Sequence, residues 1–87
     1  MKSKLTINEL NINRWVLPNG DLHREEGPGV YDDDGFKAWW VNGKLHREDG
    51  PAIEYSNGRK SWYLNSKAYT EQEYKKKMRL KKLKHII

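Results

Sequence analysis

Trp39-Trp40-Val41-Asn42-Gly43-Lys44-Leu45-His46-Arg47-Glu48-Asp49-Gly50-Pro51-Ala52-Ile53-Glu54-Tyr55-Ser56-Asn57-Gly58, running on into Arg59-Lys60-Ser61-Trp62, decides the fold because it occurs twice. Adding 23 to the residue number lays Gly20-Asp21-Leu22-His23-Arg24-Glu25-Glu26-Gly27-Pro28-Gly29-Val30 over Gly43 to Ile53. The same shift puts Gly35 on Gly58, Lys37 on Lys60, Trp39 on Trp62 and Trp40 on Tyr63. A third copy fades from Asn65-Ser66-Lys67, which stands where the second has Asn42-Gly43-Lys44. A period of this length signals stacked units, each burying its apolar face on its neighbours.

Working outward from the repeat, the signals are β. Arg14-Trp15-Val16-Leu17 reads as a strand turned back at Pro18-Asn19-Gly20. Asn-Gly between apolar runs is a hairpin signal, because a type I′ turn needs positive φ at both central residues. Gly27-Pro28 and Gly50-Pro51 break the chain, since Gly is permissive and Pro fixes φ and lacks a donor. Phe36 to Val41 reads as the longest strand of the first unit, and Arg59 to Leu64 as its counterpart in the second. Connections this short join antiparallel strands. The fold class is therefore mostly β: an antiparallel meander of about eight short strands in 23-residue repeats, closed by a basic C-terminal α-helix. Alternation along a strand points Trp39 and Trp62 one way, and Trp40 and Tyr63 the other.

The chain divides into a lead-in at 1–13, a repeat domain at 14–69 and a basic tail at 70–87. The lead-in reads as either a turn of helix or a strand. Thr6 and Glu9 have capping-box spacing, but β-branched residues and three nearby Asn oppose a helix. In the tail, Thr70 and Glu73 form a second capping box ahead of good helix formers, which predicts a helix from about Glu71 to about His85. Tyr74 and Met78 share one side and form the expected end cap on the sheet. Leu80, Leu83 and Ile87 share roughly the opposite side.

The net charge of +5 conceals an asymmetry. Residues 74–87 hold seven Lys or Arg and no acid, leaving ten basic and twelve acidic residues in 1–73. Electrostatic arguments about partners therefore concern the tail. The chain has no Cys, which excludes disulfides and thiolate metal sites. It has no long apolar run and no apolar leader, and reads as a soluble cytoplasmic protein without a membrane span.

Trp39/Trp40, Asn42-Gly43-Lys44, His46 and Asn57-Gly58, recurring at the same shift, resemble MORN repeats and their bacterial and phage variants. The likeness covers roughly Trp15 to Tyr69. A typical MORN unit continues H-G-x-G, whereas this chain reads His46-Arg47-Glu48-Asp49-Gly50-Pro51, two residues longer between the turn glycines. The variant with H-R-E-D-G-P, closed by a segment like Thr70 to Tyr74, resembles small phage and bacterial proteins. The resemblance implies hairpin sheets that bind proteins, and in some cases lipids.

No residue pattern argues for an enzyme, and no cofactor is expected. His23-Arg24-Glu25 and His46-Arg47-Glu48 carry acid–base groups, but a catalytic constellation is used once and these recur at equivalent positions. His23, Arg24, His46 and Arg47, with Gly27, Pro28, Gly50 and Pro51, are read as repeat architecture: His bridging a turn, Arg paired to an acid at a bend. Zinc needs three or four ligands, and no short-spaced His pair exists. Asp32-Asp33-Asp34-Gly35 lacks the alternation and distant Glu of a calcium loop and reads as a solvated turn.

Two groups remain as candidate partner sites. Trp39, Trp40, Trp62, Tyr63 and Tyr55 form an aromatic set from which core and recognition surface must both be drawn. Lys75, Lys76, Lys77, Arg79, Lys81, Lys82 and Lys84 form a basic set able to contact nucleic-acid phosphates or an acidic protein. The leading expectation is a phage or mobile-element accessory protein that binds and inhibits a host protein. The alternatives are nucleic-acid binding through the tail, and self-association of a monomer into a small homo-oligomer through open sheet edges.

Overall fold

A computed structural model describes the backbone of residues 2–86 and the side chains of residues 2–81. Nine strands precede one helix: β1 (Lys4–Ile7), β2 (Asn13–Val16), β3 (Val30–Tyr31), β4 (Lys37–Ala38), β5 (Trp40–Val41), β6 (Lys44–Leu45), β7 (Ile53–Glu54), β8 (Lys60–Leu64), β9 (Lys67–Tyr69) and α1 (Glu71–Ile86). Seven strands form one sheet in the order β1-β2-β3-β4-β7-β8-β9, antiparallel throughout. The hairpin β5–β6 stands apart from it. The predicted antiparallel meander with a terminal helix is what the chain forms.

The lead-in takes the strand option. Asn8 explains why: its side chain accepts from the amides of Leu10 and Ile12, both at 3.0 Å. Asn11 adds a left-handed residue at φ 58°. These Asx contacts fold residues 8–12 into a hairpin loop in place of a helix.

The expected strand from Phe36 to Val41 is broken at Trp39. Its N–H donates to Ala52 O (2.7 Å) in the main sheet, and its C=O accepts from His46 N (3.0 Å) in the next segment. Trp15 behaves alike, donating to Gly29 O (2.8 Å) and accepting from His23 N (2.9 Å). Each Trp thus marks a fork where the ladder to the following strand gives way to a small hairpin, while Val16 beyond Trp15 still pairs with Lys4 of β1.

The forks show that Trp15 is the counterpart of Trp39, although their separation is one position longer than the repeat period. The turns supply the extra position. Asn42 and Gly43 (φ 50° and 77°), like Asn65 and Ser66 (51° and 65°), form two-residue turns of type I′. In the hairpin that follows Trp15 only Gly20 has positive φ, at 95°, and Leu17 N donates to Asp21 O (2.8 Å) across a longer loop. Pro18 rules out a type I′ turn there, because its φ is fixed near −65°.

Registers place Thr6, Arg14, Val30, Ala38, Ile53 and Ser61 in one row. Ile7, Asn13, Tyr31, Lys37, Glu54 and Lys60 form the adjoining row, on the opposite face. Trp15 and Trp62 belong with the second row, and Tyr63 with the first. The molecule is a slab of 46 × 33 × 18 Å. Among the described residues, Ala38, Ala52, Ile53, Leu64 and Tyr74 are the buried apolar ones, and no large side chain is fully enclosed. Half-buried aromatics must then supply much of the apolar burial, at about 25 cal/mol per Å².

Candidate interaction surface

The His-Arg-Glu-x-Gly-Pro loop is a clamp on the fork tryptophan. Arg47 lays its guanidinium 3.6 Å from the Trp39 ring centroid and donates to Pro51 O at 3.0 Å. Arg24 repeats this over Trp15, at 4.5 Å, and donates to Pro28 O at 3.2 Å. The glycine makes room: a Cβ on Gly50 would lie 3.0 Å from Arg47 Cζ, and one on Gly27 3.2 Å from Arg24 Cζ. The guanidinium is therefore sandwiched between indole and loop backbone.

The histidine ties each unit to the next turn. His23 Nδ1 accepts from Asn42 N–H at 2.9 Å, and His46 Nδ1 from Asn65 N–H at 3.1 Å. Accepting at Nδ1 assigns the proton of the neutral ring to Nε2. His46 Nε2 accordingly faces Glu48 at 3.0 Å, and His23 Nε2 lies 3.6 Å from Glu25. His46→Ala should destabilise by about 0.5–1.5 kcal/mol, because it removes the hydrogen bond from the Asn65 amide. His46→Asn, whose Oδ1 stands near the position of Nδ1, should recover most of that in urea titrations. Equal losses for the two variants would remove the acceptor role.

The copies differ in how the arginine is neutralised. Arg47 pairs with Asp49 and Glu54, each at 2.9 Å. In the first unit Tyr31 stands at the Glu54 position, with Arg24 at 5.7 Å from its ring.

The third unit has no clamp loop, and α1 takes its place. The capping box closes as its spacing predicts: Thr70 N donates to Glu73 Oε1 (2.9 Å) and Glu73 N to Thr70 Oγ1 (3.1 Å). That starts the helix where Tyr74 is driven into the second clamp loop, at 4 % exposure. Tyr74 OH donates to Arg47 O (2.5 Å) and accepts from Gly50 N (3.3 Å). Lys81 adds an ion pair to Glu48. Burial raises the Tyr74 hydroxyl above the usual phenol range. The Lys81 hydrogen bond, then that of His46, lowers the Glu48 carboxyl below its ordinary value.

Between α1 and β8 lies a groove of about 510 Å³. Trp62, Tyr74, Met78 and Pro51 line it with Lys60 and Arg79. Its acids are engaged: Glu48 by Lys81, Asp49 by Arg47 and Glu71 by Lys75. Lys60 and Arg79 have no ion pair among the described residues. An apolar floor with cations at the rim suits an acidic segment carrying an apolar side chain.

The structure separates the two sequence-derived sets and joins part of each. Trp62 meets Lys75 and Arg79 in this groove. Trp39 lies under Arg47, beside the first clamp loop. Trp40 shares a second groove, on the other side, with Val16, Leu22, Phe36 and Ile53. Tyr63 is half-buried, and Tyr55, 40 % exposed, meets Phe36 edge-on at 6.0 Å. Lys77 rests 5.5 Å from the Tyr69 ring, and Lys76 is exposed. The side chains of Lys82, Lys84, Leu83 and Ile87 lie outside the described residues. Sequence reading expected Tyr74 and Met78 to dock as an end cap; it missed Lys60 as a rim cation and the hydroxyl contacts of Tyr74 to Arg47 O and Gly50 N that make the groove. The signal for Tyr74 was its place as the sole aromatic in the helix, one residue past the capping box.

Among the described residues, no three His, Asp or Glu side chains converge as metal ligands. No helix among them is long and apolar enough to cross a membrane. No protein-family model, curated protein or solved structure matches the chain.

Proposed function

We propose that the chain is a non-enzymatic, MORN-like protein-binding module whose α1–β8 groove takes an acidic segment of one partner. The observation that carries this reading is the meeting of Trp62, Tyr74 and Met78 with Lys60 and Arg79, cations that have no ion pair among the described residues. Trp62 supplies a hydrophobic anchor of the kind that dominates binding energy, and the cations steer and fix an acidic stretch. The phage or mobile-element setting, with a host protein inhibited by occlusion, enters this proposal through the sequence resemblance alone. Cytoplasmic location belongs to the same expectation.

A second reading, nucleic-acid binding through α1, is favoured by the exposed Lys76 and Arg79, which have no ion pair among the described residues. The test is affinity capture from lysate, with and without nuclease treatment, using the native chain, Trp62→Ala and Arg79→Glu. A stoichiometric protein retained at high salt, and lost about tenfold or more with either variant, is the expected result. Capture of nucleic acid alone, with steep salt dependence, would overturn it in favour of the second reading.

A further inference from the structure

The sheet ends on one side at β1, and β1 offers an unfinished ladder. Trp15, opposite Leu5 in the register, turns its N–H to Gly29 and its C=O to His23, away from β1. Leu5 and Trp15 are therefore a non-hydrogen-bonded pair, and so are Ile7 and Asn13 two residues on. The N–H and C=O groups of Leu5 and Ile7 point outward, and none has a partner among the described residues. Both side chains are exposed, Leu5 at 41 % and Ile7 at 61 %.

The opposite edge is closed by its own chain. Ser66 N donates to Leu45 O. Thr70 N is taken by Glu73, and Thr70 O by Tyr74 N. Only Ala68 remains between them, too little for a ladder.

We infer that the outer edge of β1 pairs antiparallel with β1 of a second copy, about a two-fold axis through Thr6. The outward groups are spaced so that Leu5 meets Ile7 of the other copy, and Ile7 meets its Leu5. Four backbone hydrogen bonds then form around a non-hydrogen-bonded Thr6 pair. This register sets the exposed Leu5 and Ile7 of both copies side by side on one face. It also sets Lys4 opposite Asn8 rather than opposite another Lys4, so like charges do not face each other. A foreign strand could use the same amides, but the apolar match and the charge offset come from the chain's own sequence. With one open edge among the described residues, pairing closes at a dimer.

The chain has no Cys, so a single introduced thiol reports the axis. Opposed Cα atoms in a non-hydrogen-bonded pair lie about 4.5 Å apart, within disulfide range. Thr6→Cys at about 100 μM under mild oxidation should cross-link to dimer at least about tenfold faster than Asn57→Cys, an exposed turn control. Light scattering should give twice the chain mass for the native protein and the single-chain mass for Ile7→Pro. That proline deletes an outward donor and leaves the β1–β2 ladder intact. Leu5→Lys should also be monomeric, and serves if the proline variant fails to fold. A monomeric native chain at this concentration, or cross-linking no faster than the control, overturns the inference. So does a dimer that persists in Leu5→Lys.

Discussion

Arg47→Ala is expected to lower the free energy of unfolding by about 3 kcal/mol, and Arg24→Ala by about half as much. Arg47 loses a cation–π contact of about 1 kcal/mol and a charged hydrogen bond to Pro51 O of about 1.5 kcal/mol or more. It also strips Glu54, a half-buried carboxylate, of its partner. The Asp49 pair adds little, because that carboxylate is 85 % exposed. Arg24 has the longer stacking distance and no described carboxylate partner. Thermal unfolding should show a Tm drop of more than about 12 °C for Arg47→Ala and clearly less for Arg24→Ala. Arg47→Lys should not recover the loss, since a point charge cannot stack and fork at once. Equal drops for the two alanine variants would mean that the carboxylates are irrelevant to the clamp.

Tyr74→Ala should cost about 3–4 kcal/mol and release α1, because Tyr74 is the one buried side chain among the described helix residues and is set into the second clamp loop. Tyr74→Phe keeps the ring and should cost about 1–2 kcal/mol, the penalty for leaving Arg47 O without its donor. The pH dependence carries an independent sign. Tyr74 is a neutral acid whose folded value is raised by burial. Its contribution is full below pH 10 and is lost as pH rises through the folded value. The native chain should therefore lose more stability than Tyr74→Phe between pH 9 and 11. Parallel curves for the two proteins would show that the hydroxyl is not engaged.

How far the sequence could be read depended on whether a feature was local. The repeat, the I′ turn at Asn42-Gly43, the Gly-Pro breaks and the Thr70–Glu73 box are local chemistry, and all appear where their residues predict. The break at Trp39 was hidden because it arises from partner choice. Its N–H goes to Ala52 and its C=O to His46, two different segments, and periodicity does not see that division. The extra position at Pro18-Asn19-Gly20 was legible in principle, since proline forbids a type I′ turn, and it would have paired Trp15 with Trp39. In the candidate site, Trp62 and the cations of α1 were legible singly. Their convergence was not, because it depends on the Tyr74 hydroxyl reaching back along the chain to Arg47 O and Gly50 N.

Beyond the shared sheet, the histidine links carry the claim that each repeat is tied to the turn of the next, and amide exchange of Asn42 and Asn65 tests it most directly. Both are exposed turn residues whose amides would exchange freely in an isolated hairpin. Bonded to His23 and His46, they should exchange at least about tenfold slower than unstructured amides. His46→Ala should speed Asn65 and leave Asn42 slow. Exchange of both amides at the unprotected rate in the native chain would contradict the links.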